Sequence, residues 1–300
     1  MDNHAKTMVM AAFAADALAL GAHWIYDTEL IFKRFGKVDA FLKPGADSYH
    51  PNKERGAFTH YGDQTLVLLE SIAEKRGFDL FDFFDRWRAL FETYKGYVDN
   101  ATRITLSRHA GGSDPEDPGS PSDDLAGASR IAPLVYAYRD DLDTLVECAR
   151  TQTRMTHGDP LTIDSAEFFA RVAYLVLHGT SPAKAMKQVA EELFRTSRIS
   201  GWVAAGLASA DKESIPSIAT FGQTCHTQEA FPGVVHLIAR YQNDLKEALI
   251  QSVMAGGDSA ARGMIVGMVL GAYLGPDALP QQWVDDLRQK DRIFELLGRL

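Results

Sequence analysis

Apolar residues recur at three- and four-residue spacing along most of the chain, and the polar positions between them cut it into a succession of helices. Residues 7–24 read as an Ala-rich helix that is apolar on every face except at Asp16. Further helical patterns cover residues 65–75, 78–91, 140–151, 161–178, 182–195, 199–210, 234–241 and 243–254, with another starting near Leu125. Val253 to Ala272 is apolar on all sides, so it is expected to be buried. Residues 285–299 alternate in charge and read as a solvated terminal helix, introduced by Pro280 and Trp283. Residues 34–62 and 111–124 are rich in Gly, Pro and polar residues and read as loops, the second mobile or lid-like. No alternating strand pattern, hairpin pair or fixed-period repeat interrupts this order. The expected fold is all-α: a single compact multi-helix domain over residues 1–300, with any site between central helices.

The polar residues inside the apolar segments carry the candidate chemistry. In Val253–Ala272, Gly256 and Gly257 precede Asp258, and Gly263, Gly267 and Gly271 follow at helical spacing. Glycine costs about 1 kcal/mol in a helix interior, so a row of them points to a close helix neighbour, within the chain or across a dimer. Asp258 then stands at the mouth of a buried helix, either as its N-cap or as a ligand for a cation or polar group. Asp63 takes the same position after Gly62, ahead of the helix Thr65–Lys75. Asp16 needs a partner among its apolar neighbours, and a seven-residue step puts His23 on the same helix face. His157 lies in a turn stopped by Gly158 and Pro160, either at the surface or beside a site. The Phe and Trp stripe at 78–91 reads as core.

Composition narrows the function. A net charge of −9 argues against nucleic-acid binding. No apolar run reaches membrane-spanning length. Asp16 interrupts the only stretch that could imitate a signal peptide. Cys148 and Cys225 make neither a disulfide framework nor a zinc site, and a cytoplasmic location is expected.

Five stretches, in order over almost the whole chain, resemble the ADP-ribosylglycohydrolase family, in its crystallin-like (J-type crystallin) branch. ADALALGAH (Ala15–His23) is similar to the family's Gly-Asp-Ala-Leu-Gly motif, which ends in Glu. Tyr61–Thr65 matches Tyr-Thr-Asp-Asp-Thr, and Gly256–Ala261 matches Gly-Gly-Asp-Thr-Asp-Thr. SRIAPL (Ser129–Leu134) matches Met-Arg-Ile-Ala-Pro-Leu, and Thr156-His157 the Thr-His turn. The resemblance implies an all-α fold holding two magnesium or manganese ions between central helices. It also implies an ADP-ribosyl or related small-molecule ligand and hydrolysis at C1 of its ribose.

The departures fall on the ligand positions. Gly62, Gln64, Ala260 and Ala261 replace oxygen donors, and His23 replaces the Glu; only Asp63 and Asp258 keep the family's residue. Two carboxylates and an imidazole can hold at most one ion, and a softer one than the family's pair. The preferred expectation is a metal-free site in which Arg262, one turn after Asp258, sets its guanidinium against Asp258 and Asp63. Asp63, Asp99 and His23 are then the catalytic candidates, with Asp63 and Asp258 the metal candidates. Asp16, Gln64, His157, Gly257 and Arg262 are expected around the substrate. Asp99 is either a general base or the N-cap of the helix after it. Two functions follow: a glycosidic hydrolase with a reduced or absent metal site, or an inactive binding or structural relative.

Overall fold

The computed structural model describes residues 2–300. Seventeen α-helices follow in chain order among them: α1 (Asp2–Ala19), α2 (Thr28–Phe35), α3 (His60–Lys75), α4 (Leu80–Glu92), α5 (Asn100–Ala110), α6 (Ala126–Ser129), α7 (Ala132–Ala137), α8 (Leu142–Arg154), α9 (Pro160–Leu177), α10 (Pro182–Leu193), α11 (Arg198–Ala208), α12 (Ser214–Phe221), α13 (Thr227–Arg240), α14 (Leu245–Met254), α15 (Ser259–Leu274), α16 (Gln281–Asp286) and α17 (Lys290–Leu297). Among the described residues the only β-type pairing is an isolated antiparallel bridge between Asp124 and His226. Among the described residues no helix is long and apolar enough to cross a membrane.

The axis of the molecule is the pair α1 and α15, each buried along most of its length. The glycine row does what its spacing suggests, within the chain. A Cβ on Gly267 would lie 2.5 Å from the carbonyl oxygen of Ala11, and one on Gly271 would lie 2.9 Å from the Cβ of Ala11. The two backbones approach closely because α15 gives up side chains and α1 offers Ala. The aromatic stripe of α4 is core, as expected: Phe83, Phe84 and Trp87 are buried.

Several expectations fail at helix ends. α1 stops at Ala19 and a turn carries the chain to Trp24, so His23 does not share a helix face with Asp16. Part of the expected first loop and its approach is α2, started by Asp27, whose carboxylate accepts from the Leu30 N–H. α13 begins at Thr227 and takes Pro232 into its interior, carried by the buried face Ala230, Phe231, Val234 and Val235. The C-terminal segment is two short helices that bury Trp283, Ile293, Leu296 and Leu297. The loop at 111–124 is tied down in its second half: Gly119 N–H donates to Arg154 O, and Ser120 Oγ donates to Thr156 O at 2.6 Å.

Candidate active site

The site forms where α3, α5 and α15 begin, roofed by the turn at 20–24 and by residues 45–59. α3 starts at His60, capped by Thr59, so Asp63 lies inside the first turn and does not introduce the helix. Asp16 fixes this start. Its buried carboxylate accepts from the Thr59 N–H at 2.7 Å and the Thr59 hydroxyl at 2.5 Å. Burial pushes its pKa up to about 6, against the pull of the Thr59 bonds. Asp16 also explains Gly62, because any Cβ there would collide with the Asp16 carboxylate. Asp16 therefore supports α3 from within the core.

Asp63 is compensated from the loop. Lys53 forms an ion pair with it, and the Tyr94 hydroxyl donates to the same oxygen. Gln64 turns inward. Its Oε1 accepts from Trp87 Nε1 at 2.7 Å and from Arg130 at 2.9 Å, and its amide donates to His60 O. Arg130, in the SRIAPL stretch, is a buried cation that also donates to Gln152 and Thr156. His157 is buried next to this network, with Nδ1 bonded to Thr156 Oγ1 at 2.8 Å and Nε2 unpartnered. Burial, with help from Arg130, brings its pKa down to about 4. Of the two positions left open for this histidine, the surface one is excluded.

Asp258 differs from Asp63 in every respect. It caps α15, accepting weakly from Ala261 N–H at 3.4 Å, and is fully buried. Its neighbours are the Tyr61 hydroxyl at 3.4 Å and His23 Nδ1 at 3.8 Å. Arg262 makes no ion pair with it or with Asp63. The guanidinium instead donates to the carbonyls of Ser252 and Gly256 at 2.7 Å each, where α14 ends and leaves acceptors free. Burial, reinforced by Asp124, outweighs the more distant Arg262 and pushes the Asp258 pKa up to about 7. Gly257 is likewise committed to the fold, donating to Ile25 O and accepting from Trp24 N–H, both at 2.9 Å.

Asp99 is the N-cap that one of its two expected readings made it. Oδ1 caps α5, accepting from Thr102 N–H at 2.6 Å, while Oδ2 faces His60 Nε2 at 3.2 Å. Burial raises its pKa, but the adjacent His60 imidazole outweighs this and holds it below the usual carboxylate range. His60 stacks against Tyr61 with 3.9 Å between centroids, so Asp99, His60, Tyr61 and Asp258 form one continuous line. Neither ring nitrogen of His60 has a hydrogen-bond partner, so the approach of Nε2 to Asp99 is a close charge contact outside hydrogen-bond geometry. Sequence reasoning missed His60, Lys53 and Arg130. His60 adjoins the Tyr61 motif, and that adjacency was the available signal.

These residues do not fit two hard ions. Lys53 already neutralises Asp63, Gln64 is taken up by Arg130 and Trp87, and Ala260 and Ala261 offer no oxygen. Nor do Asp63, Asp258 and His23 converge. Among the described residues, the only three side chains of ligand type with donor atoms within 4.8 Å of one another are Asp123, Asp124 and His226. There His226 Nδ1 already shares a hydrogen bond with Asp123 at 2.8 Å.

A family model described as ADP-ribosylglycohydrolase matches residues 1–300. Crystallin J1A of Tripedalia cystophora is 23% identical, covering 99% of this chain and 96% of its own. The ADP-ribosyl-[dinitrogen reductase] glycohydrolase of Rhodospirillum rubrum is 25% identical over 81% of each chain. A solved structure of an ADP-ribosylglycohydrolase-related protein complex is similar with a TM-score of 0.76 and 25% identity, covering 99% of this chain and 96% of that one.

Proposed function

The chain belongs to the ADP-ribosylglycohydrolase family, and from that membership we propose that it hydrolyses a glycosidic bond to ribose in an ADP-ribosyl or related ligand by acid–base chemistry without the paired ions. The observation that carries this is the separation of two buried carboxyl groups on one line of contacts. Asp258 is pushed up to about 7 and Asp99 is held low. Groups driven apart in this way divide into acid and base.

Asp258, protonated near neutral pH, gives its proton to the leaving atom as the bond from C1 breaks and its electron pair departs with that atom. A water oxygen forms the new bond to C1. Its proton passes to His60 Nδ1, while the Asp99 carboxylate 3.2 Å from Nε2 balances the imidazolium. Tyr61 holds the acid in place through its hydroxyl. Asp63 takes no part in this step, since Lys53 neutralises its charge and Tyr94 bonds the same one of its two oxygens.

The test is release of ADP-ribose from N- and O-linked ADP-ribosyl conjugates, with and without chelator. The expected result is turnover unchanged by chelator and lost in Asp258→Asn. Turnover that requires magnesium would overturn the metal-free mechanism. The second reading, a binding or structural member like the J-crystallin relatives, draws on the internal pairing of Asp63 and Gln64. It wins if no conjugate is cleaved: ADP-ribose then raises the melting temperature of a binding member and leaves that of a structural one unmoved.

A further inference from the structure

A cavity of about 510 Å3 opens between the turn after α1, helix α2 and residues 45–49. That volume suits a small molecule. Three aromatic residues stand in its wall: Trp24, Tyr26 and Tyr49. Trp24 has φ 63°, a left-handed conformation that a bulky residue adopts only when its surroundings enforce it. Its N–H donates to Gly257 O at 2.9 Å, and its ring stacks on the buried His23 and meets Tyr49 edge-on at 4.8 Å. The strained backbone thus keeps the indole at the cavity. Tyr26 and Tyr49 are 46% and 53% exposed, so both rings offer surface to a ligand arriving from solvent.

Three charged side chains share this wall: Asp27, Arg34 and Asp47. Arg34 and Asp47 cancel, for the guanidinium lies 2.8 Å from the carboxylate. Asp27 is left over. Its Oδ1 accepts from the Leu30 N–H at 3.0 Å to cap α2, and it forms no ion pair among the described residues. The wall therefore carries two carboxylates against one guanidinium, a surplus of one negative charge. His23 adds no positive charge, since burial holds its pKa well below its ordinary value. Backbone acceptors nearby are engaged. Ile25 O already accepts from Gly257 N–H, Tyr26 O from Gln223 Nε2 and Gly45 O from Ser48 N–H. A primary ammonium brings three donors that need acceptors, whereas a fully methylated one brings none.

We propose that this cavity binds a methylated ammonium head group, packed against Trp24, Tyr26 and Tyr49 and balanced by the Asp27 carboxylate. Aromatic faces are electron-rich and attract a cation, and quaternary ammonium groups are the ligands that such walls recognise. The surplus carboxylate adds Coulomb attraction for a cation and repels an anion. An uncharged ligand would meet the rings and gain nothing from Asp27. The site is independent of the hydrolase reading, because none of Asp27, Tyr26 and Tyr49 takes part in that step. The same head group occurs free, as in choline, and on trimethylated lysine side chains.

The test is calorimetric titration of the full-length protein with choline, tetramethylammonium and N-acetyl-trimethyllysine amide, against dimethylbutanol, the uncharged carbon isostere of choline, and inorganic phosphate. Saturable binding of the methylated cations is expected, with the isostere about tenfold weaker and phosphate not bound. Asp27→Asn keeps the helix cap, since Asn caps as well as Asp, and removes the surplus charge. It should weaken choline about tenfold and leave the melting temperature unmoved. Arg34→Gln should act the other way: it frees the Asp47 carboxylate, and choline should bind several-fold more tightly. The Arg34–Asp47 pair is well exposed, so its loss costs little stability. Tyr49→Leu should weaken choline about tenfold. Tighter binding of the lysine derivative than of choline assigns the site to a protein-borne cation and the reverse to a free one, and either bears the site out. No binding of any methylated cation, equal affinity for the isostere, or indifference to both Asp27→Asn and Arg34→Gln would overturn it.

Discussion

Two helix mouths in this chain look alike in sequence and differ in chemistry. Each has a glycine, then an aspartate, then an apolar helix. At α3, Asp63 is partly exposed and paired with Lys53 from the preceding loop. At α15, Asp258 is sealed from water with no cation in contact, because Arg262 is held by the carbonyls that end α14. The motif does not even fix where the carboxylate stands, for Asp258 caps α15 while Asp63 lies in the first turn of α3 behind the cap Thr59. Burial and the nearest counter-charge, both supplied from distant parts of the chain, decide whether it is a spent ion pair or a poised acid. Mutating the two positions in parallel tests this contrast.

The largest effect is expected at the acid. Asp258→Asn should lower kcat on any ADP-ribosyl conjugate by about 10²- to 10⁴-fold, the usual range for a general acid. Asp63→Asn should change kcat by less than about threefold. Equal losses in steady-state assays would erase the contrast between the two mouths. Next in size is the base side. Asp99→Asn retains an N-cap, since Asn caps as well as Asp, but removes the charge facing His60. A fall in kcat of about 10²-fold with little change in melting temperature is expected. A large loss of stability with kcat intact would reduce Asp99 to its cap.

The sequence showed that α15 has a close helix neighbour, though not that α1 is that neighbour, because small residues at fixed spacing are a local record of close packing. It also placed Asp258 and Asp99 at helix starts, where capping is local chemistry. It could not show which mouth held the acid. The start of α3 depends on Asp16, 43 residues before Thr59. The neutralisation of Asp63 depends on Lys53 and Tyr94, and the aim of Arg262 on how α14 ends. Each of these is a tertiary contact that spacing does not encode. His60 escaped notice for the same reason: its role depends on Asp99, which folding brings to within 3.2 Å.

The pH dependence of the two mouths should differ as well. Asp258 has a folded pKa of about 7 against an ordinary 3.8. The folded state therefore binds its proton more tightly than the unfolded chain does. That contribution to stability is full below about 3.8 and is lost as pH rises through about 7. Turnover should fall over the same upper limb, as the acid loses its proton. His50 works in the opposite direction: burial, with His60 and Lys53, lowers its pKa from 6.5 to about 3. Its contribution is full above about 6.5 and is lost as pH falls towards 3. Melting temperatures measured from pH 4 to 8 should thus fall at both ends. Asp258→Asn should flatten the upper limb and Asp63→Asn should not. An upper limb unchanged by Asp258→Asn would contradict a raised pKa at that carboxyl.

The smallest expected effect is also the sharpest probe of the contrast. Lys53 and Asp63 are each partly solvated, with side chains 17% and 19% exposed, so their pair is worth only about 1 kcal/mol. Lys53→Met should therefore lower the melting temperature by only a few degrees. It would also leave the Asp63 carboxylate with Tyr94 as its remaining partner and no cation. If Lys53 is what displaces an ion from this mouth, millimolar magnesium should restore part of the lost melting temperature in Lys53→Met and do nothing for the parent chain. The double variant Lys53→Met/Asp63→Asn should be insensitive to magnesium. A response equal in the parent and the single variant would mean that the lysine is incidental, and that the missing donors at Gln64, Ala260 and Ala261 alone account for the loss of the ion pair.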